Sequence, residues 1–491
     1  DTPIGMQAQK GRLRLKFKSR FAGKAEQAVY TRAGTGDIRI VSMKRLFPFA
    51  GKFEERTRKA GLHLWYEVEF DEQTPVTRAL ALLGDTTEIE IAEPVYIIRN
   101  TGGEGTVPVR SAGERNSDGT APFNDPELSR QWHYSNTGEL PNSVAGADIN
   151  LFAAWQKNQG SREVIVAVID GGIDYRHEDL TGNVGNPAEL FGEPGVDDDG
   201  NGYIDDIYGW NFINGTNQIE ADDHGTHVAG TIGAENNNGV GVCGIAGGHG
   251  GNTGVWLLSC QLFGTIDGRE VSASFPEMIK YAADAGAVIA QNSWGYENIT
   301  YLPRADQEAI DYFIQYAGVD ERGEQTGPMK GGVVIFAAGN ENKDYRTYPA
   351  AYEKVVSVAA YAPDYKKSWY SNFADWVDIA APGGTYGYGR KYNGECPVYS
   401  TLPDNQYGYM QGTSMACPHV SGIAALIVSQ FGGPGFTPEK LLAHLYQGTR
   451  DIDIYNPEYA GRLGIGAADA YLALAEDQGI APQAVDTLYC G

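Results

Sequence analysis

Five apolar runs, at 164–169, 255–263, 287–291, 332–338 and 355–360, constrain the architecture of this chain more than any other feature. They are near-continuous rather than alternating, so each predicts a strand buried on both faces. Amphipathic stretches at 277–285 and 305–317 lie between them. Buried strands alternating with helices predict an α/β body with a doubly wound, mostly parallel sheet. The reactive residues of such a sheet belong where its strands end. No internal repeat is evident.

The first hundred residues read differently. Arg12-Leu13-Arg14-Leu15-Lys16-Phe17-Lys18 alternates strictly, as a half-buried strand does. Further strands are expected at 62–70 and 89–98. A short helix is expected at 76–83, with Thr74 as N-cap and Pro75 as the first helical residue. Residues 1–100 therefore form a small α+β module. Residues 101–122 are rich in Gly, Ser, Pro and charge and read as a linker. The body runs over 123–478 and a tail over 479–491. Residues 1–100 carry a net charge of +4 and the remainder −29. That contrast suggests a module docked in cis on the body, with two unrelated solvated surfaces as the equal alternative.

The whole chain carries −25 over 491 residues, which argues against nucleic acid or an anionic membrane as a partner. No run of 18 apolar residues is present, so no membrane span is expected. Five cysteines show no CxxC and no zinc spacing. The chain begins at Asp1 with neither Met nor an apolar signal run, so the expectation is either a targeting segment removed or a chain trimmed at that end.

Four residues carry chemistry. Asp170 ends an apolar strand, where a buried carboxylate can orient a histidine or simply close a turn before Gly-Gly. His224, in DDHGTHVAGTIG, is a candidate general base. His227 at i+3 raises a zinc alternative, weak without HExxH or a third ligand. Ser414, in QGTSMACPHVSGIAALI, opens a helix-like run and is either an N-cap or a nucleophile. Asn340, in VVIFAAGN, is a turn residue or an oxyanion donor. A GRLGIGA string near the C-terminus has no βαβ unit around it and is set aside as a dinucleotide site.

In order and context these four resemble the subtilisin-like serine proteases. The strings that carry the resemblance are VIVAVIDGGIDYRHEDL, HGTHVAGTIGAENNNGVGVCGIAG, QNSWG, VVIFAAGNEN, VDIAAPGG and GTSMACPHVSGIAALI. The resemblance implies a serine endopeptidase with Ser414 as nucleophile, His224 as base, Asp170 as its orienter and Asn340 in the oxyanion hole. It implies protein or peptide substrates. Ser293, Trp294 and Gly295 would form an edge strand for the substrate backbone, with Trp294 walling a subsite. Ala337, Ala338 and Gly339 would line the pocket before the scissile bond, with Thr347 near its floor and Glu341 at its rim. An extracytoplasmic location, secreted or in the cell envelope, is expected. The alternatives are a narrow-specificity processing protease and a catalytically silent binding protein on the same fold.

The acidic loop at 197–206 places Asp197, Asp199, Asn201 and Asp205 at positions 1, 3, 5 and 9, with Gly202 at 6. That spacing wraps a hard cation, the Tyr203 carbonyl adding a ligand, although position 12 is Tyr208 rather than Glu. The alternative is a solvated acidic loop. The resemblance favours calcium here. It implies a second calcium site from Asp125, Asp179 and Asn238 with the carbonyls of Glu235, Val240 and Val242. Both ions would be structural, and catalysis would need none. HLWYEVEF and EIEIAEPVYII resemble the family's propeptide, with an accessory domain that merely shares the α+β order as the alternative. A propeptide would run 96–100 into the cleft beside Ser293–Gly295.

Overall fold

The computed structural model describes residues 7–36, 38–100, 107–109, 121–386 and 393–476. The predicted linker lies outside the described residues except at 107–109 and 121–122, and the predicted tail lies wholly outside them.

The body is built on a nine-stranded sheet. Its order is Thr449–Arg450, Ala467–Ala468, Ile379–Pro382, Val356–Tyr361, Val333–Ala337, Ile289–Asn292, Ile165–Asp170, Trp256–Gln261 and Gly209–Asn211. All pairings are parallel except the first. The five apolar runs supply the centre. Every residue of Ile165–Asp170 and Val333–Ala337 is buried, because helices cover both faces. Helices Asp223–Gly233 and Thr413–Phe431 pack on one face, and Phe275–Asp284 and Arg304–Tyr316 on the other. Thr413–Phe431 is long and apolar enough to cross a membrane, but it is buried in the body as a core helix.

Residues 8–96 fold as a four-stranded antiparallel sheet, ordered Ile40–Arg45, Trp65–Phe70, Ala8–Phe17, Ile89–Tyr96. One face packs on helices Ala25–Thr35 and Val76–Gly84 through Leu13, Leu15, Phe17, Val29, Ala79 and Leu83. Pro75 occupies the N-cap of the second helix, one position later than predicted, and the Thr74 hydroxyl bonds to Asp71 instead. Residues 62–64 form a short 3₁₀ turn before their strand.

The other face of this sheet lies on the body. Arg14 reaches Asp306 at 2.9 Å, and Lys16 reaches Glu308 at 2.8 Å. Arg56 reaches Asp284 at 2.7 Å. Glu93 accepts the Arg304 and Ala305 N–H groups at 2.8 and 3.1 Å, capping a helix N-terminus, while burial pushes its pKa up to about 7. A further contact falls on the acidic loop, where Lys52 N donates to Gly200 O at 2.9 Å. The approach is so close that a Cβ on Gly51 would lie 2.2 Å from Gly200 O, and one on Gly202 2.5 Å from Phe49 O.

Residues 107–109, predicted as linker, form a strand against the hairpin Val398–Leu402 and Gln406–Met410. Pro108 is tolerated because this strand is at the edge.

Candidate active site

The sheet delivers Asp170 at the end of a central strand, fully buried. Its Oδ1 faces His224 Nδ1 at 2.7 Å and accepts Gly171 N–H at 2.7 Å. His224 stands in the first turn of Asp223–Gly233, whose N-cap Asp222 accepts the Gly225 N–H at 2.9 Å. Burial opposes an imidazolium there, but Asp170, by charge and hydrogen bond, and Asp222 outweigh it and raise the His224 pKa. With Nδ1 given to Asp170, the remaining nitrogen Nε2 has no hydrogen-bond partner among the described residues. His227, one turn on, is neutral by burial, its pKa pushed down to about 3. Its Nε2–H is directed at the carbonyls of Val398 and Gly408, both at 3.1 Å, and it joins no cluster of metal-ligating groups among the described residues.

Ser414 is the second residue of Thr413–Phe431, and its Oγ donates to Ser293 O at 3.1 Å. Asn340 follows strand Val333–Ala337. Its Oδ1 accepts from Thr413 N at 2.9 Å and Thr413 Oγ1 at 2.8 Å. The Thr413 hydroxyl in turn accepts Gly339 N–H at 3.1 Å. This fixes the amide by its oxygen at the first residue of the helix that carries Ser414.

Trp294–Tyr296 pairs antiparallel with Ile98–Asn100, in the register Trp294↔Asn100, Gly295↔Arg99, Tyr296↔Ile98. Beside it lies a cleft of about 220 Å³, lined by Gly295, Ala337, Ala338, Gly339, Glu341 and Thr347 among others. The Thr347 hydroxyl donates to Ala338 O at 2.8 Å, and Asn372 Nδ2 donates to Glu341 Oε2 at 2.6 Å. With Ile98–Asn100 paired on this strand the Trp294 indole is fully buried, in ring contact with Phe275 and Phe336, and Trp294 is among the residues that line the cleft.

The acidic loop closes on a different set of carboxylates from the spacing alone. Glu189, Asp199 and Asp206 bring ligand atoms within 4.8 Å of one another. Asn201 bridges Asp199 and Asp206 through Nδ2, at 3.0 and 3.2 Å. Asp205 turns outward to accept Gly195 N–H, and Asp197 accepts the N–H groups of Asn201 and Gly202. Asp206 Oδ1 and Glu189 Oε2 are buried without a partner. Burial, then Asp206, pushes Asp199 up to about 8, and burial pushes Asp206 up to about 6. Uncompensated buried carboxylate oxygens of this kind fit a hard dication. At the second predicted site Asn238 Nδ2 donates to Asp179 at 2.8 Å, and Asp125 accepts Asn237 N–H at 2.7 Å. Burial raises the Asp179 pKa strongly, with Asp125 and Glu235 adding to it. The Asn238 Oδ1 accepts Val240 N–H, and the Val242 N–H goes to Asp179 at 2.7 Å.

The family model for the Subtilase family matches residues 161–466, and that for the N-terminal of Subtilase family matches 23–138. The chain belongs to the subtilase family. Among relatives, the "Thermophilic serine proteinase" of Bacillus sp. (strain AK1) is 34% identical over 278 residues, 56% of this chain and 55% of its own length. The "Halolysin-like extracellular serine protease Nep" of Natrialba magadii is 30% identical over 348 residues, 70% of this chain and 54% of its own. The chain thus spans about half the length of these relatives. In fold it is similar to fervidolysin from Fervidobacterium pennivorans, TM-score 0.59 at 21% identity, covering 97% of this chain and 62% of that one.

As a subtilase site it includes residues that sequence reading passed over. Thr413 stands inside the GTSMACPHVSGIAALI string, next to Ser414, without a role assigned to it. Asp206 lay beside the chosen Asp205, one position off the helical-loop count. Glu189 comes from a separate segment with no spacing signal.

Proposed function

We propose that the chain is a serine endopeptidase that hydrolyses peptide bonds through an acyl-enzyme on Ser414. The observation that carries this reading is an extended segment, Ile98–Asn100, paired backbone to backbone beside the nucleophile as a substrate would be. Ser414 Oγ attacks the scissile carbonyl carbon, and its proton passes to His224 Nε2. Asp170 holds the tautomer and stabilises the imidazolium. The oxyanion draws on the Asn340 amide and the N–H of Ser414 at the helix N-terminus. Collapse breaks the C–N bond as His224 protonates the leaving amine. Water then repeats the sequence to release the acid.

The cleft's small, uncharged floor and main-chain pairing favour broad specificity for apolar or medium-sized side chains. Glu341 stays at the rim, tied to Asn372. Residues 1–100 act as a propeptide that blocks the cleft in cis. Cleavage is expected beyond the paired segment, between about Asn100 and Pro122. Calcium would be held by Asp199, Asp206 and Glu189, with Asn201 beside them, and by Asp125 and Asp179. Bound there it would lock loops, and the chemistry draws on the protein's own groups. Relatives named as extracellular proteases, the halolysin-like enzyme of Natrialba magadii among them, support an extracytoplasmic setting.

A fluorophosphonate probe tests the reading. It should label Ser414 in the processed protein, and Ser414→Ala should lose labelling and about 10⁶ in turnover. Retention of a tenth of the activity by that variant would refute the assignment.

A further inference from the structure

Ser414 sits in a helix that forgoes one of its own hydrogen bonds. The carbonyl of residue i in a helix is normally met by the N–H of i+4. For Ser414 that residue is Pro418, which has no N–H and whose ring crowds the same carbonyl. Ser414 is fully buried, so water is no substitute. The partner is Ser293, whose Oγ donates to Ser414 O at 2.9 Å. Ser414 Oγ donates back to Ser293 O at 3.1 Å. The two residues hold each other, although 121 positions separate them.

The direction of the Ser293 hydroxyl is set from behind. Gln291 Nε2 donates to Ser293 Oγ at 2.7 Å, so the hydroxyl proton is left to point at the Ser414 carbonyl. Gln291 is oriented by the same helix, since its Oε1 accepts from Cys417 Sγ at 3.3 Å and from Ser421 Oγ. All of these side chains are buried. Positions 414, 417 and 421 share one helix face. Gln291 and Ser293 lie on the strand segment that runs directly into the substrate-pairing Trp294–Tyr296.

We infer that Ser293 is a positioning residue for the nucleophile: its hydroxyl replaces the helix hydrogen bond that Pro418 removes and so registers Ser414 against the substrate strand. This rests on the reading of Ser414 as nucleophile, which wild-type labelling by the fluorophosphonate probe tests separately. Any residue other than proline at 418 would satisfy the carbonyl within the helix. Proline instead hands it to the strand that binds substrate, joining nucleophile and substrate backbone in one unit.

The test is a cycle of Ser293→Ala, Pro418→Ala and the double variant in the full chain, matured before assay. Ser293→Ala should lower kcat roughly tenfold, the loss of one buried hydrogen bond, with KM within about twofold of wild type. In the Pro418→Ala background a backbone N–H is available to the carbonyl. There, Ser293→Ala should cost no more than about twofold. An equal loss in both backgrounds would overturn the inference, as would unchanged kcat or a loss confined to KM. If Ser293→Ala does not fold, Ser293→Cys keeps the volume and weakens the donor, and the same cycle is read in the same way.

Discussion

Replacing Arg14 by methionine should loosen the N-terminal module far more than removing any exposed charge. Arg14 is 1% exposed and its partner Asp306 is fully buried. Asp306 also accepts from Tyr296 Oη and heads the Arg304–Tyr316 helix. Methionine keeps the apolar stem of arginine and deletes the cation, leaving a buried carboxylate opposite an apolar group. Breaking one side of a buried pair costs about 3–5 kcal/mol. Tyr296 and the helix end remain, so the lower figure applies, about two orders of magnitude in affinity. The assay is inhibition of the processed body by the module carrying Arg14→Met, against wild type. Arg58, paired only with Glu54 on the module itself and 57% exposed, is the control. Arg58→Ala should change inhibition by no more than a few-fold. An Arg14→Met module that inhibits within threefold of wild type would refute the docked geometry.

Three further outcomes are expected. Asn340→Ala should lower kcat by roughly 10²–10³ with little change in KM, since the amide acts on the oxyanion; a change confined to KM would remove it from that role. Because Asp170 raises the His224 pKa, and the neutral imidazole is the active form, kcat/KM should rise with pH through a midpoint above 6.5. Asp170→Asn should shift that midpoint downward, and an unmoved midpoint would sever the pair. Calcium chelation should lower the melting temperature by mass action. Glu189→Gln and Asp206→Asn should blunt that response while Asp205→Asn leaves it intact, and the reverse ranking would restore the ligand set read from spacing.

The centre of the parallel sheet was legible because its five strands are continuous apolar runs, which mark burial on both faces, whereas the short outer strands Gly209–Asn211, Thr449–Arg450 and Ala467–Ala468 carry no such signal. The family was legible because the candidate catalytic residues lie in long distinctive strings. What escaped was set by tertiary contact. Helix Ala25–Thr35 buries mainly Ala25, Val29 and Ala33, small residues whose helical spacing carries little hydrophobic signal. Strand Ile40–Arg45 is a half-exposed edge with no alternation to read. Nothing in the alternation said what would cover Arg14 and Lys16, which meet Asp306 and Glu308 of the Arg304–Tyr316 helix. Glu189 meets Asp206 only once the chain between them has folded back.

The contact between Phe49–Lys52 and Gly200–Gly202 bears on how such proteins can diversify. Each backbone occupies the space where the other would carry a side chain. A mutation on either segment is therefore judged by the other, and the two must drift together through sequence space. Modules exchanged between distant relatives should fit only when the acidic loop travels with them. The N-terminal module and the acidic loop are for that reason fitted to each other, backbone against backbone.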